Sequence, residues 1–357
     1  MISPRIEISL NAVEHNARAL VTRLAQRQIG VTGVTKATLG SPDVAKAMVR
    51  GGVKRIGDSR IENLHALREA GIRAPLVLLR PPAPDRAEEA VATADVTLVS
   101  DYSAVEALSM AAGKSAANHG IVVMVELGDL REGVMEDDVL DLARRIARTP
   151  HVTLLGLGTN LACRSGVIPG DAQMSRLSAH AKLISSRLHV PFSYVSGGNS
   201  ASLGWAFGKD SVGHINDLRL GESILLGVDP LTRKPIPGLL SDAFTLVGTV
   251  IESRIKPASS WGPTAQAAFG KPLRRRDDGE IIQTIVALGL QDMDASDIEP
   301  AAGVSVLGAS SDHLVLETPK RIPAGTEMQF GVGYSALLRA MTSPFVAERL
   351  VGKAVTD

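Results

Sequence analysis

From about residue 10 to residue 228 the chain alternates short apolar, β-branched runs with amphipathic stretches. The runs read "IGVTGVTK" (29–36), "RIGDS" (55–59), "APLVLLR" (74–80), "DVTLVS" (95–100), "IVVMVELG" (121–128), "VTLLGLGT" (152–159), "PFSYVSGG" (191–198) and "DLRLGES" (217–223). Each is almost continuously apolar, the mark of a strand covered on both faces, and each ends in polar residues. The stretches between carry helix signals: "SPDVAKAMVRGG" opens with Ser41 as a cap and Pro42 at the first helical position. Such alternation predicts a parallel sheet. Eight units predict a closed, TIM-like (β/α)8 barrel over 10–229, with an open doubly wound sheet as the alternative.

The pattern changes at "VDPLTRKPIPG". Beyond it, "AFTLVGTVIESRI", "IIQTIVALGL", "GVSVLGA", "HLVLETP" and "TEMQFGVG" read as strands separated by turn residues. They predict an all-β domain over 230–357, to which "RIEISL" near the N-terminus (strand 1–9) can be added.

Composition narrows the function classes. Lys plus Arg total 38, as do Asp plus Glu, so no net field draws in nucleic acid or an anionic membrane. The basic patch "KPLRRRDD" (271–278) is answered at once by two aspartates and reads as a solvated loop. The single cysteine, Cys163, excludes an internal disulfide and a cysteine-cluster metal site, and it fits a reducing compartment. No apolar run approaches the ~20 residues of a membrane helix, and the N-terminus lacks a leader pattern. A soluble, cytoplasmic protein is expected.

In an α/β barrel the chemistry sits where the strands end. The predicted ends carry Lys36, Asp58, Ser59, Arg80, Ser100, Glu126, Asp129, Arg131, Thr159, Asn160, Ser196, Asn199, Arg219 and Glu222. Three details sharpen this set. Lys36 closes an apolar run with no acidic neighbour in sequence, as a carbonyl-directed nucleophile requires; a lysine snorkelling to solvent is the plainer alternative. "SGGNSAS" (196–202) joins a strand to a helix, where glycines and free N–H groups suit an anion, although an ordinary turn reads the same way. Arg219 lies between Leu218 and Leu220 and needs a partner in the barrel mouth, a salt bridge being the simple choice. A lysine, a phosphate cup and an arginine together suit a phosphorylated aldehyde cofactor, pyridoxal 5'-phosphate.

The chain also resembles the fold-type III pyridoxal-phosphate enzymes, and among them the ornithine racemase branch of the alanine racemase family. The resemblance lies in "VTKATLGSPDVAKAMVRGGVKRIGDSRIENL", "ELGDLREGV", "GLGTNLACRSGVIP", "VSGGNSASL", "INDLRLGESILLG", "DAFTLVGTVIESRIKP", "LGASSDHLVLE" and "YSALLRAMTSPFV". It implies that Lys36 holds the cofactor as an internal aldimine and moves one proton. It implies that Arg131 lies near the phenolic oxygen and that Arg219 faces the pyridine nitrogen. Gly198, Asn199 and Ser200 would form the phosphate loop, completed by Gly221, Glu222, Thr342 and Ser343. Asn160 takes the place of a histidine that stacks near the ring in alanine racemases, a departure from the family pattern. An arginine always keeps its proton, so the nitrogen it faces stays unprotonated, which favours return of the proton to Cα over amino transfer.

Racemisation needs a proton carrier on each side of Cα. In alanine racemases the second is a tyrosine from the partner's β-domain; here Leu290 stands at that place. His313, with Asp312 beside it to orient the imidazole or contact the substrate, is the leading replacement. Cys163 and Tyr334 are the others. Asp292, Asp294 and Asp297 lack the glycine and terminal glutamate of a calcium loop; they read as a polar turn or as a reader of a distal ammonium. No metal is expected. The expectation is an amino-acid racemase tested first on ornithine, lysine and alanine, working as a head-to-tail homodimer. A fold-type III decarboxylase and a non-catalytic pyridoxal-phosphate carrier are the alternatives.

Overall fold

The computed structural model describes residues 3–263, 265–266 and 279–352; the basic patch 271–278 lies outside them. The chain forms two compact units, Ala12–Ser241 and a second that joins the residues before it to those from Asp242 onward. Residues 230–241, expected with the second domain, belong to the first. The amide of Asn16 clasps Leu240 from both sides, donating to its carbonyl (2.8 Å) and accepting its N–H (2.7 Å).

The N-terminal part runs β1 (Arg5–Ser9), α1 (Leu10–Ala25), β2 (Gly30–Val34), α2 (Pro42–Arg50), β3 (Arg55–Asp58), α3 (Ile61–Glu69), β4 (Leu76–Leu78), α4 (Ala87–Thr93), β5 (Val96–Val99), α5 (Tyr102–Lys114) and β6 (His119–Met124). It continues with α6 (Val139–Ala147), β7 (Val152–Gly158), α7 (Asp171–Leu188), α8 (Leu203–Ala206), β8 (Asp217–Leu220) and α9 (Glu222–Leu226). Pro42 does open α2, but Ser41 makes no side-chain cap bond.

Among the described residues, strands β2 to β8 form a curled, parallel half-barrel of seven strands in the order β7-β6-β5-β4-β3-β2-β8. The expected eighth strand, "PFSYVSGG", is not one. Ser196 alone makes parallel bridges, to Gly158 of β7 and Asp217 of β8. The ladder around it is irregular. Leu155 O accepts from both Ser193 and Tyr194, and Val195 O from both Asn216 and Asp217. Close approach on the β7 side depends on Gly156 (φ +154°), where a Cβ would fall 2.1 Å from Tyr194 O. Val77, Val96, Leu98, Val122, Met124 and Tyr194 pack in one buried cluster inside this sheet. Each large apolar side chain so buried contributes about 1.5–3 kcal/mol.

The second unit adds β9 (Phe244–Pro257), β10 (Glu280–Val286), β11 (Ile298–Glu299), β12 (Ser305–Ala309), β13 (Leu314–Glu317), β14 (Glu327–Val332), α10 (Tyr334–Thr342) and β15 (Ala347–Val351). Its sheet runs β11-β14-β9-β10-β13-β12, with β1 antiparallel to β9 and parallel to β15. The domain is not all β. α10 buries Ala336, Leu337, Ala340 and Met341, and Asp297 caps it by accepting the N–H groups of Ser335 (2.7 Å) and Ala336 (3.2 Å).

Candidate active site

β2 delivers Lys36. The strand ends at Val34, and Lys36 opens a single 3₁₀ turn, Lys36–Thr38. Thr35 anchors the junction: its N–H donates to Gly57 O (3.1 Å) and its Oγ1 to Asp58 (2.8 Å). Asp58 also accepts from the Arg60 N–H and the Asn63 amide. Burial pushes the Asp58 carboxyl upward, and these donors oppose it. Lys36 is half-buried, and among the described residues its amine makes neither a hydrogen bond nor an ion pair. It is held in place by backbone, with a free head.

β8 lies against β2 with Thr32 opposite Arg219 and Gly33 opposite Leu220. Gly221 then packs on Val34; a Cβ there would lie 3.2 Å from Val34 Cβ. The lysine strand and the start of α9 therefore leave the sheet side by side.

Arg219 is buried. Its Nη1 donates to Ser196 Oγ (2.6 Å) and its Nη2 to Thr159 O (2.7 Å). No carboxylate lies within ion-pair distance of it among the described residues, so the expected simple salt bridge is not what holds it. Of the groups behind it, the sequence marked Ser196 as a strand end but assigned no role to Asp217, Thr32 and Tyr194. The signal was present in "DLRL", where period-2 alternation puts Asp217 and Arg219 on one face of an otherwise apolar strand.

The glycine-rich loop starts beside the end of β7, where Ser196 bridges Gly158 and accepts the Thr159 N–H (3.0 Å). Asn199 Oδ1 accepts from Ala201 N–H (2.8 Å) and caps the short turn Ser200–Ser202. Gly198 takes φ +108°, and a Cβ there would fall 2.6 Å from Ser202 Oγ, which is tied to Gly197 O. Ser200 Oγ meets Ser223 Oγ at 3.0 Å and accepts the Ser223 N–H at 3.2 Å, so the loop is fastened to the first turn of α9. The Glu222 side chain itself pairs with Arg233, leaving backbone as its contribution to the cup.

Asn199 also gathers the loop after β7. Its Nδ2 lies 3.1 Å from Asn160 Oδ1, 2.8 Å from Leu161 O and 3.2 Å from Cys163 Sγ. Cys163 is exposed rather than a buried hydrophobe. Arg131 pairs with its neighbour Glu132, which pushes its pKa up. The two loops are laced together through Asp129, which accepts from the N–H groups of Arg164 and Ser165.

These residues fit a phosphorylated aldehyde. Among the described residues the Lys36 amine is unpaired and Asn160 Nδ2 is buried without a partner, and the loop backbone turns at Gly198 in a conformation that side chains rarely adopt.

The remaining candidates lie on the second unit. His313 is exposed on the turn before β13. Asp312 does not orient it, because its two oxygens accept from Gln291 (2.6 Å) and Ser311 (2.7 Å). Thr342 donates within its own helix, and Ser343 donates to Asp292 (3.1 Å). Asp292 also accepts the Gly289 N–H (3.0 Å), and Asp294 accepts from Ser296 and Ser335. The three aspartates thus serve turns and a helix cap, and no group of metal-binding side chains occurs among the described residues. Leu290, Gln291, Asp294, Ser311 and Arg339 line a cleft of about 390 Å³. No helix among the described residues is long and apolar enough to cross a membrane.

The chain is similar to known proteins in sequence and in fold. The family description "Alanine racemase, N-terminal domain" matches residues 8–230. The lysine racemase of Thermotoga maritima is 35% identical over 349 residues, covering 97% of this chain and 98% of that one. The ornithine racemase of Acetoanaerobium sticklandii is 32% identical over 353 residues, covering 98% and 99%. Among solved structures, the alanine racemase from Bacillus anthracis with bound L-Ala-P aligns at TM-score 0.75 and 18% identity, covering 100% of this chain and 97% of that one. The alanine racemase from Bartonella henselae with covalently bound pyridoxal phosphate aligns at 0.74 and 15%, covering 98% and 100%.

Proposed function

This chain belongs to the alanine racemase family and is a pyridoxal-phosphate-dependent amino-acid racemase; we propose that it acts on a basic amino acid, lysine or ornithine, with Lys36 as the cofactor's anchor. The observation that carries the site assignment is Lys36 itself: an unpaired, half-buried amine leaving β2 beside Gly221. When bound, pyridoxal phosphate makes the α C–H of an amino acid acidic by drawing electrons toward its ring. The protein's own part is placement and proton handling. Backbone at Gly198–Ser200 and Gly221–Glu222 would hold the phosphate, with Thr342 and Ser343 as its further contacts. Arg219 would donate to the ring nitrogen without surrendering its proton, Arg131 would face the phenolic oxygen, and the orphan Nδ2 of Asn160 would gain an acceptor. Lys36 would move the α-proton on one side.

The basic substrate is supported by the two full-length relatives, whose names specify lysine and ornithine. A head-to-tail homodimer would let each second unit serve its partner's barrel. The bridges of Ser196 support reading the curled sheet as an eight-membered (β/α)8 ring, and the single cysteine supports a reducing, cytoplasmic setting.

For the second proton carrier we carry His313 forward, and the Asn199–Cys163 contact favours Cys163 as a second reading. One experiment separates them. His313→Ala and Cys163→Ser are assayed on L- and D-lysine, ornithine and alanine by chiral chromatography and by deuterium uptake at Cα. Loss of the second carrier lowers inversion in both directions by roughly 10²–10⁴-fold, yet one enantiomer still exchanges its α-hydrogen through Lys36. Full activity of His313→Ala in both directions removes that residue from the role. Carbon dioxide release would replace the racemase reading with decarboxylation, and absence of any exchange in the unmodified protein would make it a carrier.

A further inference from the structure

The groups behind Arg219 form a continuous chain of hydrogen bonds. Arginine only donates, so Ser196 Oγ accepts from Arg219 Nη1 and its one hydrogen goes to Asp217 Oδ1 at 3.0 Å. Thr32 gives its one hydrogen to Asp217 Oδ2 at 2.8 Å, so the Tyr194 hydroxyl, 3.0 Å away, must donate to Thr32. Every donor points at Asp217, which has no exposed surface. An ionised carboxylate, which accepts on both oxygens and offers no hydrogen, satisfies each of these donors.

The charges facing Asp217 come from three places. Arg55 of β3 brings Nη1 to 3.5 Å from Oδ2 and stacks on the Tyr194 ring at 4.4 Å. Tyr194 comes from the segment after β7, and Arg219 from β8 itself; β2 contributes the uncharged Thr32. Burial pushes the Asp217 carboxyl upward, while Arg55, Arg219 and the two hydroxyls pull it back. Burial is the larger effect and leaves the carboxyl above its usual value, so the ionised form depends on the Arg55 cation and the two hydroxyl donors. With Nη1 on Ser196 and Nη2 on Thr159 O, Arg219 Nε has no partner among the described residues.

We propose that Asp217 is a positioning residue: its buried negative charge, linked through the Ser196 hydroxyl, fixes the Arg219 fork so that Nε–H is presented to the cofactor ring, and offsets part of the positive charge there. The proposal rests on the reading of Arg219 as the ring-nitrogen partner. A neutral residue at 217 would leave the cation of Arg219 unbalanced in a site of low dielectric, where such a charge acts over several ångströms.

The test uses holoenzyme with pyridoxal phosphate bound and follows the visible absorbance of the cofactor against pH. Asp217→Asn deletes an anion near a cationic chromophore, so the midpoint is expected to fall by about one pH unit. Ser196→Ala keeps the carboxylate but cuts the bridge; kcat is expected to fall about tenfold with KM nearly unchanged, because a donor has lost its preset direction. Arg219→Gln serves as the control. If it leaves the absorbance titration unmoved, the reading of Arg219 fails. If it moves the titration while folded Asp217→Asn does not, the role of Asp217 fails and the reading stands. Should Asp217→Asn not fold, unchanged kcat in Ser196→Ala overturns the proposal.

Discussion

Lys36→Ala is expected to abolish the visible absorbance of bound cofactor and to lower racemisation by about 10³-fold or more, since it removes both the covalent anchor and one proton carrier. The expectation is specific to chemistry because of how Lys36 is held. Its position is set by backbone and by Thr35, whose N–H and hydroxyl bind Gly57 O and Asp58, and among the described residues its own amine makes no hydrogen bond or ion pair. Removing the amine therefore breaks no hydrogen bond or ion pair among the described residues, and the melting temperature without cofactor should change little. Lys36→Arg makes a sharper control. It keeps the charge but cannot form the imine, and it should lose the absorbance just as completely. Retention of either the absorbance or full turnover in these variants would show that another group carries the cofactor.

Arg219→Glu should cost racemisation about 10²–10³-fold while raising the yield of keto acid from the amino-acid substrate. Arginine keeps its proton at any working pH. A glutamate at 219 would share the Ser196 network with Asp217, and two carboxylates so close cannot both ionise easily, which raises one of their pKa values. The new side chain would then carry a proton able to shift toward the ring nitrogen. That shift favours delivery of a hydrogen to the wrong carbon and so the by-product. Arg219→Lys preserves the charge but not the fork, since one ammonium does not reproduce the two bonds to Ser196 and Thr159 in their fixed geometry; a smaller, roughly tenfold loss without keto acid is expected. Chiral chromatography and a keto-acid assay on the same samples check both. No rise in keto acid from Arg219→Glu would mean that position 219 does not face the ring nitrogen.

The legible parts of this molecule were those written in short-range pattern. The seven strands of the half-barrel declared themselves as short, mostly apolar runs, and Lys36 and Arg219 stood out as charges among apolar neighbours. What escaped depended on partners far along the chain. "PFSYVSGG" has the composition of a strand, but its pairing rests on one residue, Ser196, between β7 and β8. α10 is a nine-residue helix in a strand-rich stretch, and its cap comes from Asp297 rather than from its own first turn. Asp312 looked like a partner for the adjacent His313, yet Gln291, distant in sequence, takes one of its oxygens. The link from Asn199 to Cys163 spans 36 positions and joins two loops that local pattern treats separately.

The most direct measurement of the central claim is to reduce the holoenzyme with borohydride, digest it and locate the phosphopyridoxyl group by peptide mass spectrometry. The account predicts one labelled site, Lys36, with labelling lost in Lys36→Arg. A label on any other lysine, or none on a protein that still racemises lysine or ornithine, would contradict it.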